Sequence, residues 1–367
     1  MNSLRIAHID TGLSLRGGQR QMLMLARGLR ERGHEQMVIC LEGTALEERA
    51  QQEGLRVYSL PAHDPGHAFG VLIWRQHLRT WAPQILHAHD GRGQTLAWLA
   101  SVGLPVRRVA SRRVTFFPSD RWTYRLKYGR TCHAVIAVSE NIRELSVQAG
   151  VPGERITVIP DGIEVPAELP GAPERLRLRT SWQCGEEDFV VGLLGASTAE
   201  KGQDIALAAL DLLAGKLPRV KMVFAGNDPG ARGSRSIHDP SPPCLQLGPI
   251  QDLAGFLPGL DLFIMPSKAE GLGSSALWAM AYGLPVVATR VGGLPEIVVE
   301  NETGWLIPPG SPQALADAIL HASGDRGKLT EFGRRGRVRA EGFSAAIMVN
   351  STEALYQRLV CGRLPGG

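Results

Sequence analysis

A carboxylate followed by small residues stands in the second half of the sequence, where an apolar run ends. Glu270 follows the strand-like run DLFIMPS, and Gly271, Gly273 and Ser274 come next, where a helix is predicted to begin. Backbone N–H groups at the start of a helix bind anions such as phosphate. A carboxylate beside that anion would repel it, so we expect Glu270 to accept hydrogen bonds from hydroxyl groups, as a sugar offers.

A lysine is predicted at the start of another helix in the same half. Lys201 lies in GLLGASTAEKGQD, and its ammonium group at a helix N-terminus can neutralise a phosphate. A solvated surface lysine is the alternative interpretation. The lysine, the N–H groups of Leu272, Gly273 and Ser274, and the Glu270 carboxylate together suit a sugar diphosphate as ligand.

Two adjacent glycines occur near the amino terminus. Gly17 and Gly18 lie in LSLRGGQRQ, between the first predicted strand and the first predicted helix. Without a Cβ atom the backbone there can approach a ligand closely; a plain tight turn is the alternative. The later stretch GRGQTL departs from the dinucleotide fingerprint G-x-G-x-x-G at its sixth position, Leu96. A nicotinamide enzyme is therefore disfavoured.

Two histidines and an aspartate end another predicted strand. His87 and His89 lie two residues apart in ILHAHDGRG, so they are predicted to point to the same face of the strand, and Asp90 follows at its carboxyl end. An H-x-H pair can begin a metal site, and a buried structural histidine is the common alternative. We find no further ligand set with suitable spacing, and therefore predict no metal site.

The elements that must position these residues are short apolar strands alternating with helices. Helices are predicted, for example, over Gln19–Arg32, Val71–Trp81 and Asn141–Ala149. The strand candidates of the first half are LRIAHID, QMVICLE, RVYSLP, QILHAH, VRRVAS, AVIAVS and RITVIP, and those of the second half are FVVGLLG, VKMVFAG, CLQLG, DLFIMPS, PVVATR and GWLIP. Strands that are apolar on both faces and alternate with helices indicate parallel sheets. The fold class is therefore α/β, with two Rossmann-like, doubly wound domains.

The domain boundary is predicted in a Pro-rich polar stretch. Glu164–Arg179 has no strand signal and is interpreted as the interdomain linker. We expect an N-terminal Rossmann-like domain over 1–165, a C-terminal Rossmann-like domain over 166–345 and a last helix over 346–367. The active site is expected in the cleft between the domains.

Composition narrows the classes of protein further. The five cysteines among 367 residues are scattered and no apolar run reaches about 18 residues, so we expect a reduced, cytoplasmic protein without a membrane span. A net charge of +4 is too small to indicate nucleic acid binding. Between Pro105 and Arg130, one acid accompanies eight basic residues, which are Arg107, Arg108, Arg112, Arg113, Arg121, Arg125, Lys127 and Arg130. This segment is expected to contact an anionic acceptor or membrane headgroups; a solvated face is the alternative.

Four stretches together resemble a known family. They are RGGQRQ, AVSENIRELSVQAGVPGERITVIPDGIEV, EKGQDIALAA and the block from Glu270 to Val298 that ends in GGLPEIV. The chain resembles, over nearly its whole length, the family-four retaining glycosyltransferases of GT-B fold, and the last block is the most specific. The resemblance implies sugar transfer from a nucleotide diphosphate donor with retention at the anomeric carbon. It also implies that the domain over 1–165 binds the acceptor and the domain over 166–345 binds the nucleotide sugar. No metal or other cofactor is expected to be needed, and the last helix is expected to cross back to the N-terminal domain.

The resemblance and the residues together suggest roles for individual side chains. Glu270 would hold the hydroxyl groups of the donor sugar, Lys201 the diphosphate, and His89 would orient the sugar or acceptor. The predicted donor-binding residues are Gly17, Gly18, Leu272, Gly273, Ser274, Trp278 and Pro249. Arg112, Arg113 and Asp90 are predicted to bind the acceptor, an anionic glycan, lipid or polysaccharide of the cell envelope. Peripheral contact with the inner face of the membrane is expected.

Two positions depart from the family pattern. Ala196 stands where the family usually has Arg, and Trp278 stands where it usually has a second Glu, eight positions after Glu270. Lys201 is thereby left as the main cation for the diphosphate, and the carboxylate that holds the donor ribose is lost. One alternative is therefore a sugar-nucleotide-binding protein without transferase activity. A nucleotide-sugar epimerase is another, but it requires additional acid–base carboxylates that the sequence does not show.

Overall fold

The alternating strands and helices form two parallel sheets, one in each half of the chain. The computed structural model describes residues 3–61, 68–115, 121–196, 198–226, 244–250 and 252–362. The chain divides into two compact units: unit 1 comprises residues 1–162 together with 345–367, and unit 2 comprises residues 163–344. All the strands predicted above are confirmed.

Unit 1 contains a seven-stranded sheet. Its strands are β1 (Arg5–Ile9), β2 (Glu35–Leu41), β3 (Arg56–Leu60), β4 (Ile85–Ala88), β5 (Arg107–Arg112), β6 (Ala134–Ala137) and β7 (Ile156–Val158). Their order in the sheet is β3-β2-β1-β4-β5-β6-β7, and all neighbours are parallel. The helices are α1 (Gly17–Glu31), α2 (Ala45–Gln52), α3 (Ala68–Trp81), α4 (Gly91–Ser101), α5 (Arg121–Tyr124) and α6 (Glu140–Gln148). A π-helix, Arg125–Arg130, continues α5, and a 3₁₀ turn, Gly153–Arg155, precedes β7.

Unit 2 contains a six-stranded sheet. Its strands are β8 (Phe189–Leu194), β9 (Val220–Ala225), β10 (Cys244–Gln246), β11 (Leu262–Met265), β12 (Val286–Thr289) and β13 (Gly304–Ile307), in the parallel order β10-β9-β8-β11-β12-β13. Its helices are α7 (Ala172–Ser181), α8 (Gln203–Leu213), α9 (Ser274–Ala281), α10 (Leu294–Ile297), α11 (Pro312–Ser323) and α12 (Arg326–Glu341). Two 3₁₀ turns, Leu253–Gly255 and Leu257–Gly259, precede β11.

The last helix, α13 (Ala345–Val360), belongs to unit 1. Met348, Val349, Tyr356 and Leu359 on α13 are buried in one apolar cluster with residues of β1 and α1, among them Ile6. The helix thereby covers apolar surface that the first part of the chain leaves open. None of the helices in the described part of the chain is both long and apolar enough to cross a bilayer.

The predicted linker, Glu164–Arg179, is partly helical. Most of its second half lies in α7, which starts with Pro173 at an early helical position and buries Leu178. Arg175 and Arg179 of this helix both form ion pairs with Asp261, just before β11. A proline at the first turn favours a helix, and the ion pairs anchor that helix to unit 2. The interpretation of the whole stretch as a linker was therefore wrong.

The strand orders mark one place in each sheet where a ligand can enter. β1 and β4 are neighbours in the first sheet, as are β8 and β11 in the second, and the order of connection reverses at both pairs. Helices that follow such strands cover opposite faces of the sheet and leave a crevice at the carboxyl ends. Glu270, Lys201, His89 and Asp90 all follow one of these four strands.

Candidate functional site

The lysine and glutamate singled out in the sequence meet at the crevice of unit 2. Lys201 follows β8 and Glu270 follows β11, and their Nζ and Oε1 atoms are 2.5 Å apart. The hydroxyl group of Ser267 donates to the same Oε1 atom at 2.8 Å. The Lys201 side chain is 29% exposed and that of Glu270 only 9%. The carboxylate is therefore covered by protein, while the ammonium group is partly accessible to solvent. A ligand that binds on the accessible side could replace part of the contact between them.

Two glycines allow the loops that carry this pair to come together. Gly202 has φ +71°, and a Cβ atom there would lie 2.1 Å from the carbonyl oxygen of Pro266. Gly292 has φ +54°, and a Cβ atom there would lie 1.7 Å from the carbonyl oxygen of Glu270. Any other residue would have to push away the backbone beside Lys201 or Glu270. Gly292 is the first Gly of the GGLPEIV sequence, and this close contact explains why glycine occupies that position.

The start of α9 presents the predicted anion-binding groups. Gly273 precedes the helix with φ +101°. The backbone N–H groups of Leu272, Gly273 and Ser274 have no hydrogen-bond partner among the described residues. Four N–H groups at a helix start lack helical partners, and the helix dipole adds partial positive charge there. This terminus can therefore receive a phosphate next to the Lys201–Glu270 pair.

The remaining predicted donor residues of unit 2 are less closely placed. Trp278 lies on α9 and is half-buried, while Pro249 is exposed in the stretch after β10. Ala196 follows Gly195 at the end of β8, and its carbonyl oxygen accepts from Gln203 at 3.3 Å. Among the residues that the structure describes, Lys201 is the cation that forms an ion pair with Glu270, as the prediction requires.

Asp90 shapes the crevice of unit 1. It caps α4 by accepting from the N–H group of Gly93 at 2.5 Å. Its other oxygen accepts from the N–H and hydroxyl groups of Thr11 at 3.0 and 2.5 Å. The carboxylate thereby ties the loop after β1 to the start of α4. These contacts hold the crevice together and occupy both carboxylate oxygens.

A chain of hydrogen bonds runs from Arg113 through two histidines. Arg113 Nη1 lies 3.3 Å from Nδ1 of His89, and His89 Nε2 lies 3.0 Å from Nδ1 of His8. His8 Nε2 in turn lies 2.9 Å from Oε1 of Gln36. Arginine can only donate, so His89 Nδ1 accepts, His89 Nε2–H donates to His8, and His8 Nε2–H donates to Gln36. Both imidazoles are neutral in this arrangement.

Burial keeps these rings neutral. Loss of solvation lowers the pKa of His8 to about 4, and the positive charge of Arg113 adds to this. Burial, the neighbouring histidines and Arg113 likewise hold the pKa values of His87 and His89 well below the ordinary value. Neutral His89 therefore offers no free proton donor. It supports the Arg113 guanidinium, whose Nε also donates to Asp161 at 2.8 Å.

The three histidines are close enough to form a metal-ligand set by distance. One ring nitrogen from each of His8, His87 and His89 lies within 4.8 Å of the others. His8 is the third member that the sequence search missed; its strand pairs with β4, and His8 is in register with His87. However, His87 contacts the hydroxyl groups of Tyr356 at 2.6 Å and Ser111 at 2.8 Å. Hydrogen bonds to protein groups thus account for all the ring nitrogens.

Arg112 differs from its expected place on the surface. It is only 8% exposed, and its guanidinium lies 5.4 Å from the ring centroids of both Tyr124 and Tyr128. The last four residues of β5, Arg112 included, are all buried, so its charge is used in cation–π contacts inside unit 1. Arg108 likewise donates to the carbonyl oxygen of Thr131 at 2.5 Å. The prediction of Arg112 as an exposed acceptor-binding cation is therefore corrected, whereas Arg113 does lie at the crevice.

Gly17 and Gly18 form the first turn of α1. A Cβ atom on Gly18 would be 3.9 Å from Cδ of Arg113, and one on Gly17 would have no atom within 4 Å. Neither residue has a positive φ. The fold of unit 1 therefore does not require glycine at position 17, and open space lies in front of its backbone.

We expect Gly17→Ala to separate stability from activity. Alanine loses less backbone entropy on folding, so the thermal midpoint should stay or rise by the equivalent of about 0.4–1 kcal/mol. A ligand that approaches the backbone at Gly17 would be displaced, and a shift of about 1 Å costs on the order of 100-fold in rate. Thermal unfolding and donor turnover measure the two effects. Unchanged turnover would show that the glycine only forms a turn.

Several residues of the two crevices were not singled out from the sequence. They are His8, Asp10, Gln19, Gln36, Asp161 and Ser267. Asp10 is buried and accepts from Gln19 Nε2 and from the N–H group of Gly12, both at 2.8 Å. Burial and the nearby Asp90 raise the pKa of the Asp10 carboxyl. Asp10 could have been predicted from its position, because it directly follows β1, the neighbour of β4 in the sheet.

Comparisons with known proteins show which proteins the chain resembles in sequence and in fold. The D-inositol 3-phosphate glycosyltransferase of Segniliparus rotundus is 26% identical over 339 residues, which cover 84% of this chain and 74% of that protein. The GDP-mannose-dependent phosphatidylinositol monomannoside mannosyltransferase of Mycobacterium tuberculosis is 28% identical over 254 residues, covering 64% of this chain and 60% of that one. The crystal structure of Anabaena HepE in complex with UDP-glucose superposes with a TM-score of 0.84 at 22% identity, over 96% of this chain and 100% of that one.

Two family models match successive parts of the sequence. Residues 15–165 match the model described as Glycosyltransferase Family 4, and residues 188–325 match the model described as Glycosyl transferases group 1. The first match contains His89, Asp90 and Arg113 of unit 1, and the second contains Lys201, Glu270 and the start of α9. Since the two matches together cover most of the sequence and the fold agrees with solved GT-B structures, the chain belongs to the family 4, group 1 glycosyltransferases.

Proposed function

We propose that the protein transfers a sugar from a nucleotide diphosphate sugar, with retention at the anomeric carbon, to an anionic acceptor of the cell envelope. The observation that carries the proposal is the Lys201–Glu270 pair beside the open N–H groups at the start of α9. This arrangement offers positive charge for a diphosphate and a carboxylate for sugar hydroxyl groups. Two comparisons support the proposal. The structurally similar HepE was crystallised with UDP-glucose, and the relatives are named as a D-inositol 3-phosphate glycosyltransferase and a GDP-mannose-dependent mannosyltransferase.

The donor would bind with its diphosphate between Lys201 and the N–H groups of Leu272, Gly273 and Ser274. These groups take up the charge that develops when the bond between the anomeric carbon and the phosphate oxygen breaks. Glu270 would then turn from Lys201 to the sugar hydroxyl groups. With this neutralisation supplied by the chain itself, a bound metal ion is not needed for the step.

The acceptor would attack from the side on which the phosphate leaves. Its oxygen forms the new bond to the anomeric carbon, and its proton passes to the leaving phosphate oxygen, so retention follows without a protein nucleophile. Arg113, held by Asp161 and His89, is the cation of unit 1 that we assign to the acceptor. His89 therefore acts as a positioning residue, because its ring nitrogens are used to hold other side chains.

Donor hydrolysis tests the proposed function without knowledge of the acceptor. The full chain is incubated with UDP-glucose, GDP-mannose and related donors, with and without a chelator, and released nucleotide and sugar are measured. A retaining transferase should slowly hydrolyse its own donor, and the sugar that it releases should initially have the anomeric configuration of the donor. This activity should persist when the chelator is present. Donor binding by calorimetry without any hydrolysis would instead indicate a sugar-nucleotide-binding protein. Loss of activity with the chelator would contradict metal independence.

A further inference from the structure

The last helix contributes a buried hydroxyl group to the histidines of unit 1. Tyr356 of α13 is fully buried, and its hydroxyl oxygen lies 2.6 Å from Nδ1 of His87 on β4. The phenol ring and the imidazole meet edge to face, with their centroids 5.9 Å apart and an interplanar angle of 83°. The two residues are 269 positions apart along the chain. Their contact has no part in the transfer described above.

The hydroxyl group of Tyr356 is the donor in this contact. Nδ1 of His87 is its one hydrogen-bond partner among the described residues. Burial holds the pKa of the phenol well above its ordinary value, so the oxygen keeps its proton. A buried O–H group without an acceptor costs free energy, so this proton is directed to the imidazole. Since the ring of His87 is neutral, its own proton lies on Nε2, which donates to Ser111 at 2.8 Å.

The ring of His87 that Tyr356 and Ser111 hold in this way stacks on His89. The two ring centroids are 4.0 Å apart, and the planes are inclined by 37°. His87 is fully buried and His89 is 6% exposed. In a close-packed interior a ring cannot turn without displacing the ring that it touches. The orientation of His89 therefore depends on that of His87.

His89 is in turn one of two groups that hold the guanidinium of Arg113. Nη1 of Arg113 donates to Nδ1 of His89 at 3.3 Å, and its Nε donates to Asp161 at 2.8 Å. Its Nη2 has no hydrogen-bond partner among the described residues. Because a guanidinium is planar, two fixed N–H directions determine the directions of the others. His89 and Asp161 therefore set the direction of the two N–H groups on Nη2.

We propose that Tyr356 is a positioning residue for the anionic group of the acceptor. Its hydroxyl group fixes His87, His87 fixes His89 by stacking, and His89 directs the guanidinium of Arg113 to the anion. The proposal rests on the proposed function in that Arg113 binds the acceptor, and it extends the acceptor side of the site to the last helix. Tyr356 contacts no reacting atom, and its effect passes through the two histidines.

Tyr356→Phe removes the hydroxyl group and keeps the apolar packing of the ring. Tyr356 is buried in the apolar cluster that α13 forms with β1 and α1, and phenylalanine can fill that place. Nδ1 of His87 loses its donor, so the ring is no longer held on that side. The matched control is Tyr58→Phe. It removes the hydroxyl group of another tyrosine of unit 1 that packs on a histidine, with ring centroids 4.3 Å from those of His77.

NMR of the ring and guanidinium nitrogens follows this chain of contacts in the folded full chain. The wild type should show the proton of His87 on Nε2; a proton on Nδ1 would make Tyr356 the acceptor and overturn the proposal. In Tyr356→Phe, the signals of His87 and His89 and the Nε–H signal of Arg113 should all move. Tyr58→Phe should leave them unchanged. A change confined to His87 would show that the tyrosine has a purely structural role, and would overturn the proposal.

Titration with inorganic phosphate, followed at the Nε–H signal of Arg113, measures the consequence for anion binding. The signal is assigned with Arg113→Lys. A displacement of about 1 Å costs on the order of 100-fold in rate, and for a smaller shift we expect the phosphate dissociation constant to rise about tenfold in Tyr356→Phe. It should stay unchanged in Tyr58→Phe.

Equal dissociation constants for Tyr356→Phe and the wild type would overturn the proposal. No response of the Arg113 signal to phosphate in the wild type would remove Arg113 from the acceptor site, and the proposal would fall with that assignment. Donor hydrolysis by the wild type tests the transfer itself, so a failure of the proposed function is seen independently.

Discussion

Lys201→Ala is expected to reduce turnover with the true donor by 100-fold or more. Charge on the phosphate oxygen grows as the bond to the sugar breaks, so Lys201 stabilises the transition state more than the bound donor. Loss of one such preorganised group costs about 2.7–4 kcal/mol. Turnover should therefore fall more than donor affinity, as measured by steady-state kinetics and calorimetry. A loss below tenfold would remove Lys201 from the diphosphate site.

A neighbouring lysine provides the control for this prediction. Lys268 forms an ion pair with Asp204 at 2.8 Å, but both side chains are well exposed. Exposed pairs contribute little to stability, so Lys268→Ala should leave both turnover and the thermal midpoint nearly unchanged. Lys201→Ala also leaves the buried Glu270 carboxylate without its cation, which should lower stability. Thermal unfolding of both variants therefore accompanies the kinetics, at temperatures where each is folded.

A double-mutant cycle shows whether Lys201 and Glu270 act together. In the structure they contact each other directly, so Lys201→Ala/Glu270→Gln should lose much less activity than the two single losses added. Partners that work as one unit show this non-additivity. Fully additive losses would mean that the lysine and glutamate contribute through separate contacts with the donor.

Unit 1 is expected to lose stability steeply as the pH falls from about 6.5 towards 5. Buried His8 has its pKa lowered to about 4, and those of His87 and His89 lie well below the ordinary value. In the unfolded chain a histidine has a pKa of about 6.5, so above that pH both states are neutral and the stabilisation of the folded state is complete. Below that pH the unfolded chain takes up protons that the folded chain does not, and the free energy of unfolding falls. For His8 the loss amounts to about 2 kcal/mol at pH 5, and the lowered pKa values of His87 and His89 add to it in the same direction. Even the part due to His8 is a sizeable share of the free energy of unfolding of a typical domain.

Hydrogen exchange of the β1 and β4 amides measures this effect in unit 1 alone, so independent unfolding of unit 2 does not disturb the result. His8→Gln removes one titrating group and should reduce the loss between pH 7.5 and pH 5 by about 2 kcal/mol. The control is His321→Gln, at an exposed position of unit 2, which should leave the exchange of unit 1 unchanged. Equal protection at both pH values in the wild type would show that the histidines take up protons while the unit stays folded.

The sequence predicted the strands and the fold class well because the signal is local. In a parallel sheet covered on both faces, each strand is a short apolar run that can be read without knowledge of its neighbours. The same holds for Gly273, which directly precedes a predicted helix. The linker was less predictable, because α7 depends on ion pairs with Asp261, more than 80 residues away along the chain.

By itself, the sequence determined which residues follow each strand, and hence that Lys201, Glu270, His89 and Asp90 lie at the carboxyl ends of strands. Only the tertiary structure decided what these residues contact. The pairing of β8 with β11 brings Lys201 to Glu270, and the pairing of β1 with β4 places His8 beside His87. It also decided that Arg112 is buried while Arg125 and Arg130 stay exposed around a cavity. The physical reason is that a local pattern specifies an element and its faces, whereas partners and burial depend on the order in which distant strands join the sheet.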